Sequence, residues 1–108
     1  MSYDIIITEH ADADLRGIYE YIAFSLLAPE SAVRQLNRLE SLISSLDTFP
    51  ERFRAYENEP WHSRGLRLVP VDKYLILYIP DKDSMTVYIM RVFYQGRDID
   101  TQLENIED

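Results

Sequence analysis

The segment Glu57-Asn58-Glu59-Pro60-Trp61-His62-Ser63-Arg64-Gly65-Leu66-Arg67 gathers two carboxylates, an imidazole and two guanidiniums in one short stretch. These groups can break an RNA phosphodiester without a metal. A base takes the 2′-hydroxyl proton, an acid protonates the leaving 5′-oxygen, and cations hold the charge that builds on phosphorus. On this reading Glu59 or His62 moves the proton and Arg67 holds phosphate. Each also has a plainer role. Histidine is easily tuned to titrate near neutrality, yet His62 beside Trp61 is at least as readily a surface or packing residue. Arg64 and Arg67, three apart, point to opposite sides of a strand, so both reach one phosphate only if a bulge or the strand start intervenes. A second group, Arg91, Tyr94 and Arg97, closes the chain. Tyr94 and Arg97 suit stacking on a base and holding a phosphate, as aromatic and guanidinium groups do with single-stranded RNA. Arg91 sits in an apolar run where an unpaired guanidinium is costly to bury, so it either lies on an exposed face or meets an acid. A structural ion pair is as good a reading of it as a site. With eight tyrosines in the chain, most are packing residues.

The elements that must position these groups follow from length and pattern. A chain of 108 residues with 46% hydrophobic content fits one domain over 1–108. It has no cysteine, which excludes disulfides, thiolate zinc sites and thiol nucleophiles and suits a reducing cytoplasm. No metal or cofactor is expected. No run approaches the roughly 20 apolar residues that span a bilayer, and the start of the chain lacks the pattern of a leader, so no membrane association is expected. The net charge of −8 argues against a protein that coats nucleic acid. Between Arg52 and Arg97, however, eight bases face five acids for a local +3, leaving −11 elsewhere. A basic sheet in an acidic protein is able to meet a polyanion at one face, although solvated surface charge is the commoner meaning.

Residues 4–8 are a β-branched strand run, followed by acids suited to a helix's first turn. Ala11, Leu15, Ile18, Tyr19, Ile22 and Leu26 then form an apolar stripe that predicts a helix to about Leu26, with Asp14, Arg16 and Glu20 outside it. Pro29 and Glu30 start a second helix carrying Ala32, Leu36, Leu39, Ile43 and Leu46, which must stop before Pro50. After an irregular loop, strands are predicted over 66–69, 74–79 and 86–94, with 80–84 as the turn between the last two. The continuous apolar run 74–79 reads as a strand covered on both faces. The result is an α+β domain, β-α-α-β-β-β: an N-terminal strand, a two-helix antiparallel hairpin and a three-stranded antiparallel meander to which the first strand adds. Leu15, Ile18, Ile22, Leu36, Leu39, Ile43, Leu46, Leu66, Leu68, Ile76, Tyr78, Ile89 and Val92 are its expected core. The segment 98–108, with five acids and no base, reads as a frayed or mobile surface tail.

This combination resembles the RelE/ParE toxin superfamily from Ile5 to about Leu103. The resemblance is carried by Ala11-Asp12-Ala13-Asp14-Leu15-Arg16-Gly17-Ile18-Tyr19-Glu20-Tyr21-Ile22, by Ile43-Ser44-Ser45-Leu46-Asp47-Thr48-Phe49-Pro50-Glu51-Arg52, by Gly65-Leu66-Arg67 before Lys73-Tyr74-Leu75-Ile76-Leu77-Tyr78, and by the closing Ile89-Met90-Arg91-Val92-Phe93-Tyr94-Gln95-Gly96-Arg97-Asp98. It implies a RelE/ParE-like fold and the toxin half of a type II toxin–antitoxin pair, such as serve in plasmid stabilization, held inactive by a cognate antitoxin. RelE-like members cut messenger RNA in the ribosomal A site, as endoribonucleases called mRNA interferases. ParE-like members poison DNA gyrase without a catalytic constellation.

The YoeB-like subgroup places a glutamate in the loop before the sheet, arginine on a strand and His-Tyr at the end of the last strand, where this chain has Phe93-Tyr94. That comparison assigns catalysis to Glu59, His62, Arg67 and Tyr94 and nucleic-acid contact to Arg64, Arg91 and Arg97, all converging on a concave sheet face. One departure stands against it. RelE-like nucleases commonly carry arginine right after the tyrosine of the central strand, where this chain has Leu75, closer to ParE-like sequences. The strongly acidic charge also sits badly with a ribosome-bound nuclease. Because Glu59, His62 and the arginines have no evident purpose in a gyrase poison, the reading tilts to ribosome-dependent mRNA cleavage, with a gyrase inhibitor or a non-catalytic antitoxin-binding member as alternatives.

Overall fold

Thr8 ends the first strand and starts the first helix. Its amide donates to the Ile89 carbonyl (3.2 Å) as the last rung of strand β1 (Asp4–Ile7), while its hydroxyl accepts from the Ala11 amide (3.3 Å) and caps helix α1 (Glu9–Glu20). The computed structural model describes residues 2–104. The helical path continues through a π-turn, Tyr21–Ser25, in which the Leu26 amide reaches the Tyr21 carbonyl (3.0 Å). The helix therefore ends near Leu26 as its periodicity predicts, but widened in its last turn. Leu27 then takes a left-handed conformation (φ 54°), and Pro29 opens helix α2 (Pro29–Ser45) at a position where its missing amide costs nothing.

Three further strands, β2 (Arg67–Val71), β3 (Tyr74–Asp81) and β4 (Thr86–Tyr94), form an antiparallel meander, and β1 adds in parallel to β4 for the order β1-β4-β3-β2. The α+β plan is as the sequence predicts. β3 runs past the expected turn start to include Pro80, which is tolerated because there β3 is paired with β4 alone, β2 having ended its pairing at Tyr78. Between Leu77 and Tyr78 the register slips: Leu77 faces Arg91, Tyr78 faces Ile89, and Met90 is the extra residue of a bulge.

The sheet is buried on both faces. Against Leu39, Ile43 and Leu46 of the helical hairpin lie Val69, Ile76, Tyr78, Val87, Ile89 and Val92 of the sheet. The Tyr78 phenol, fully buried, donates to the Pro50 carbonyl (2.6 Å), and burial pushes its pKa up to about 12. On the opposite face Leu66, Leu68, Leu75, Leu77 and Phe93 pack under Tyr56 and Trp61 of the loop and under Leu103. Leu103 belongs to a third helix, α3 (Ile99–Glu104), and is fully buried. The tail read as a mobile surface segment is thus, over Ile99–Glu104, a cover for the sheet, with a buried leucine in an acidic stretch as its apolar anchor. Its last residues, 105–108, lie outside the described residues. Of the expected core, Ile18, Ile22 and Leu36 are only half-buried, Ile18 and Leu36 packing at the margin of this cluster.

Gly17 lies exposed inside α1, and a Cβ built there meets nothing within 4 Å. Replacing it with alanine is expected to stabilise the fold by about 0.5–1 kcal/mol through a lower backbone entropy cost, read as a rise in the urea midpoint with unchanged slope.

Candidate functional site

The turn 58–65 holds three of the seven predicted site residues. Glu59 accepts from the Ser63 amide (2.9 Å) and hydroxyl (2.7 Å), and His62 Nδ1 stands 3.6 Å from its Oε2. Both side chains are more than half exposed, at 59% and 53%. The Ser63 hydroxyl and amide, with a smaller contribution from His62, hold the Glu59 carboxyl below the usual carboxylate range. A carboxylate made less basic is a weak proton acceptor, and its bonds explain it as the brace of a turn. The Arg64 guanidinium lies over the Trp61 ring, 4.9 Å from its centroid. Arg64 is in the turn, since β2 starts only at Arg67, so the two arginines do not share a strand.

Two more of the predicted residues are engaged inside the fold. Arg67 Nη1 donates to the carbonyls of Glu51 (3.1 Å) and Phe53 (2.6 Å), tying β2 to the segment after Pro50. Arg91 meets an acid: Nε and Nη2 grip the two oxygens of Asp14 at 2.6 and 3.0 Å, and Nη1 donates to the Gln102 carbonyl at 2.8 Å. Asp14 also accepts the Val92 amide (2.9 Å), so this pair, with side chains only 12% and 16% exposed, binds α1, β4 and α3 together. Asp14 lies off the apolar stripe, and only the need of Arg91 for a partner signals it.

The last two, Tyr94 and Arg97, are exposed at the end of β4, where the Tyr94 ring meets Tyr74 edge-on at 5.9 Å. They border a cavity of about 630 Å³ between α1 and β4 that Gly17, Tyr21 and Tyr74 also line. These five residues are brought together without any sequence motif, because α1 and the strand ends meet only in three dimensions.

The start of β2 and the end of β4 lie at different points along β3. A Cβ on Gly65 would lie 3.9 Å from Ile79, whereas Tyr94 pairs with Tyr74, five residues back along β3. Asn58, beside Glu59, reaches across to Asp100 of α3, while at about 3.3 Å per residue Ile79 and Tyr74 themselves stand roughly 17 Å apart along β3. The face between them is closed: Leu75, at 7% exposure, is buried with Phe93, Tyr56, Trp61 and Leu103. α3 is held over it where the Tyr56 hydroxyl donates to Asp100, which also accepts from Asn58 at 3.0 Å. Burial, with Asp100 second, pushes the Tyr56 phenol up to about 12.

The model of the ParE toxin family of type II toxin–antitoxin systems, parDE, matches residues 5–99. The chain belongs to this family. Among solved structures, the toxin resembles the chromosomal ParDE system of P. aeruginosa with 19% identity and a TM-score of 0.69, over 86% of this chain and 96% of that one. It resembles the RelBE2 toxin–antitoxin complex of Mycobacterium tuberculosis with 23% identity and a TM-score of 0.66, over 88% and 100%. A free-state mutant of E. coli toxin RelE aligns over the whole of both chains at 12% identity and a TM-score of 0.68. At these identities the structures establish the RelE/ParE fold of the toxin. Among curated proteins, none matches the sequence. No helix among the described residues is long and apolar enough to cross a membrane.

Proposed function

We propose that this ParE-family toxin acts by binding and inhibiting DNA gyrase, not by cutting ribosome-bound mRNA, and that a cognate antitoxin restrains it. The observation that carries this reading is Leu75, buried at 7% exposure under the loop and α3 where RelE-like nucleases commonly place a phosphate-binding arginine. Arg67 and Arg91, the other strand cations, hold backbone and Asp14 instead of facing outward. Phosphoryl chemistry needs a proton carrier and cations within reach of one reacting phosphate, and here Glu59 is engaged by Ser63 while the Arg67 and Arg91 guanidiniums are bonded inside the fold. This reading departs from the tilt toward a nuclease that residue types alone give. An inhibitor that acts by binding needs no such convergence, which fits the arrangement. The likeness to solved toxin–antitoxin complexes supports the antitoxin partner.

Induction of the toxin in a bacterial host, with DNA and protein synthesis followed separately, tests the reading. Stalled replication and SOS induction ahead of any fall in translation are expected, with relief on co-expression of a small open reading frame adjacent to the toxin's own. Immediate loss of translation with mRNA cut at ribosomes would overturn it.

A further inference from the structure

The edge of β4 is open where α1 leaves it. Pairing with β1 ends at Ile7 opposite Ile89, the Thr8 amide and hydroxyl cover the Ile89 carbonyl, and Asp14 takes the Val92 amide. The Gln95 amide donates to the Lys73 carbonyl (2.9 Å), so Gln95 and Phe93 turn their backbone groups toward β3 while Val92 and Tyr94 turn theirs away. Among the described residues nothing meets the Val92 carbonyl or the Tyr94 amide. Val92 and Tyr94 both line the 630 Å³ cavity, a volume in the range of ligand sites. Gly17 leaves its far wall open, and Tyr21, Tyr74 and Tyr94 make the sides apolar. The charge of Asp14 is met by Arg91, which leaves Arg97 as the lining's uncompensated charge. Tyr21 (56% exposed) continues outward into Phe24 (68%) and Leu27 (83%) at the hairpin end, an exposed apolar surface of the kind that marks protein contacts.

We propose that this slot receives an extended segment of a partner protein, which pairs with the backbone of Val92 and Tyr94, sets an aromatic or branched apolar side chain above Gly17 against the tyrosines, and offers a carboxylate to Arg97. Each feature selects the occupant's chemistry. The free carbonyl and amide at one strand edge ask for a peptide backbone, as in strand addition. The tyrosines supply rigid amphipathic area for an apolar anchor. A single cation in a chain of net charge −8 suits one carboxylate and not a nucleic acid, which draws its affinity from several bases. The inference does not depend on whether gyrase is the toxin's target.

Selection of a displayed library of random heptapeptides on the purified toxin tests it, with the enriched peptides then synthesised and titrated against isotope-labelled protein. Enriched sequences should share an aromatic or branched apolar residue followed by Asp or Glu and should shift the amides of Gly17, Phe93 and Tyr94. Arg97→Ala should weaken them about two- to fivefold, the scale of one exposed ion pair. Gly17→Leu, which fills the slot from an open helix surface and whose folding is checked by circular dichroism, should abolish binding. No enrichment over an unrelated control protein, or peptides that bind Gly17→Leu as tightly as the natural chain, would overturn the proposal.

Discussion

Arg91→Met should destabilise the toxin by about 3–5 kcal/mol, the cost of stranding one partner of a buried ion pair. Asp14 would be left 16% exposed with a carboxylate that has lost both its guanidinium bonds and retains only the Val92 amide. The Gln102 carbonyl would lose its donor as well, loosening α3 from the sheet. Chemical denaturation of Arg91→Met, Asp14→Asn and the double variant gives the pairwise coupling, which should be about 1–3 kcal/mol because the two residues touch directly. Additive costs would show that the pair does not join α1, β4 and α3 as its geometry implies. The same pair seals the β4 edge beside the slot, so its loss should also weaken the selected peptides.

Leu75→Arg is the second large effect. It restores the residue type that RelE-like nucleases commonly carry after the central tyrosine, but into a site closed by Tyr56, Trp61, Phe93 and Leu103. An unpaired guanidinium there should cost about 3 kcal/mol or more and should confer no cleavage of mRNA. A change within about 0.5 kcal/mol would mean that the face is open and that the loop and α3 are loosely held over it.

Most of the architecture was legible in the residues. A period of 3.6 placed both helices, β-branched and apolar runs placed the four strands, and the run 74–79, apolar at every position, already spoke for burial on both sides. That signal conflicts with an RNA-binding sheet face, and the structure resolves the conflict in favour of burial. What covers the second face was harder to see. Trp61 looked like a neighbour of a catalytic histidine, and Leu103 was one apolar residue in an acidic tail, so neither had a period to reveal its packing. The candidate site was less legible still. Residue types at positions 59, 62, 67, 91 and 94 fit a nuclease, but sequence order does not say that Arg67 is taken up by the Glu51 and Phe53 carbonyls and Arg91 by Asp14. The requirement that Arg91 meet an acid was derivable, whereas the identity of Asp14 needed the crossing of α1 over β4. The cavity around Gly17 and Tyr74 left no mark on the sequence, since its lining comes from elements that approach only in the folded chain.

The most direct measurement of the central claim adds purified toxin to purified DNA gyrase in a supercoiling reaction, and in parallel to programmed ribosomes carrying a labelled mRNA. The account predicts dose-dependent loss of supercoiling and intact mRNA, with both outcomes unchanged in a Glu59→Gln, His62→Gln double variant. Uninhibited gyrase together with mRNA cut by the natural chain and spared by that double variant would contradict it and return Glu59 and His62 to catalysis.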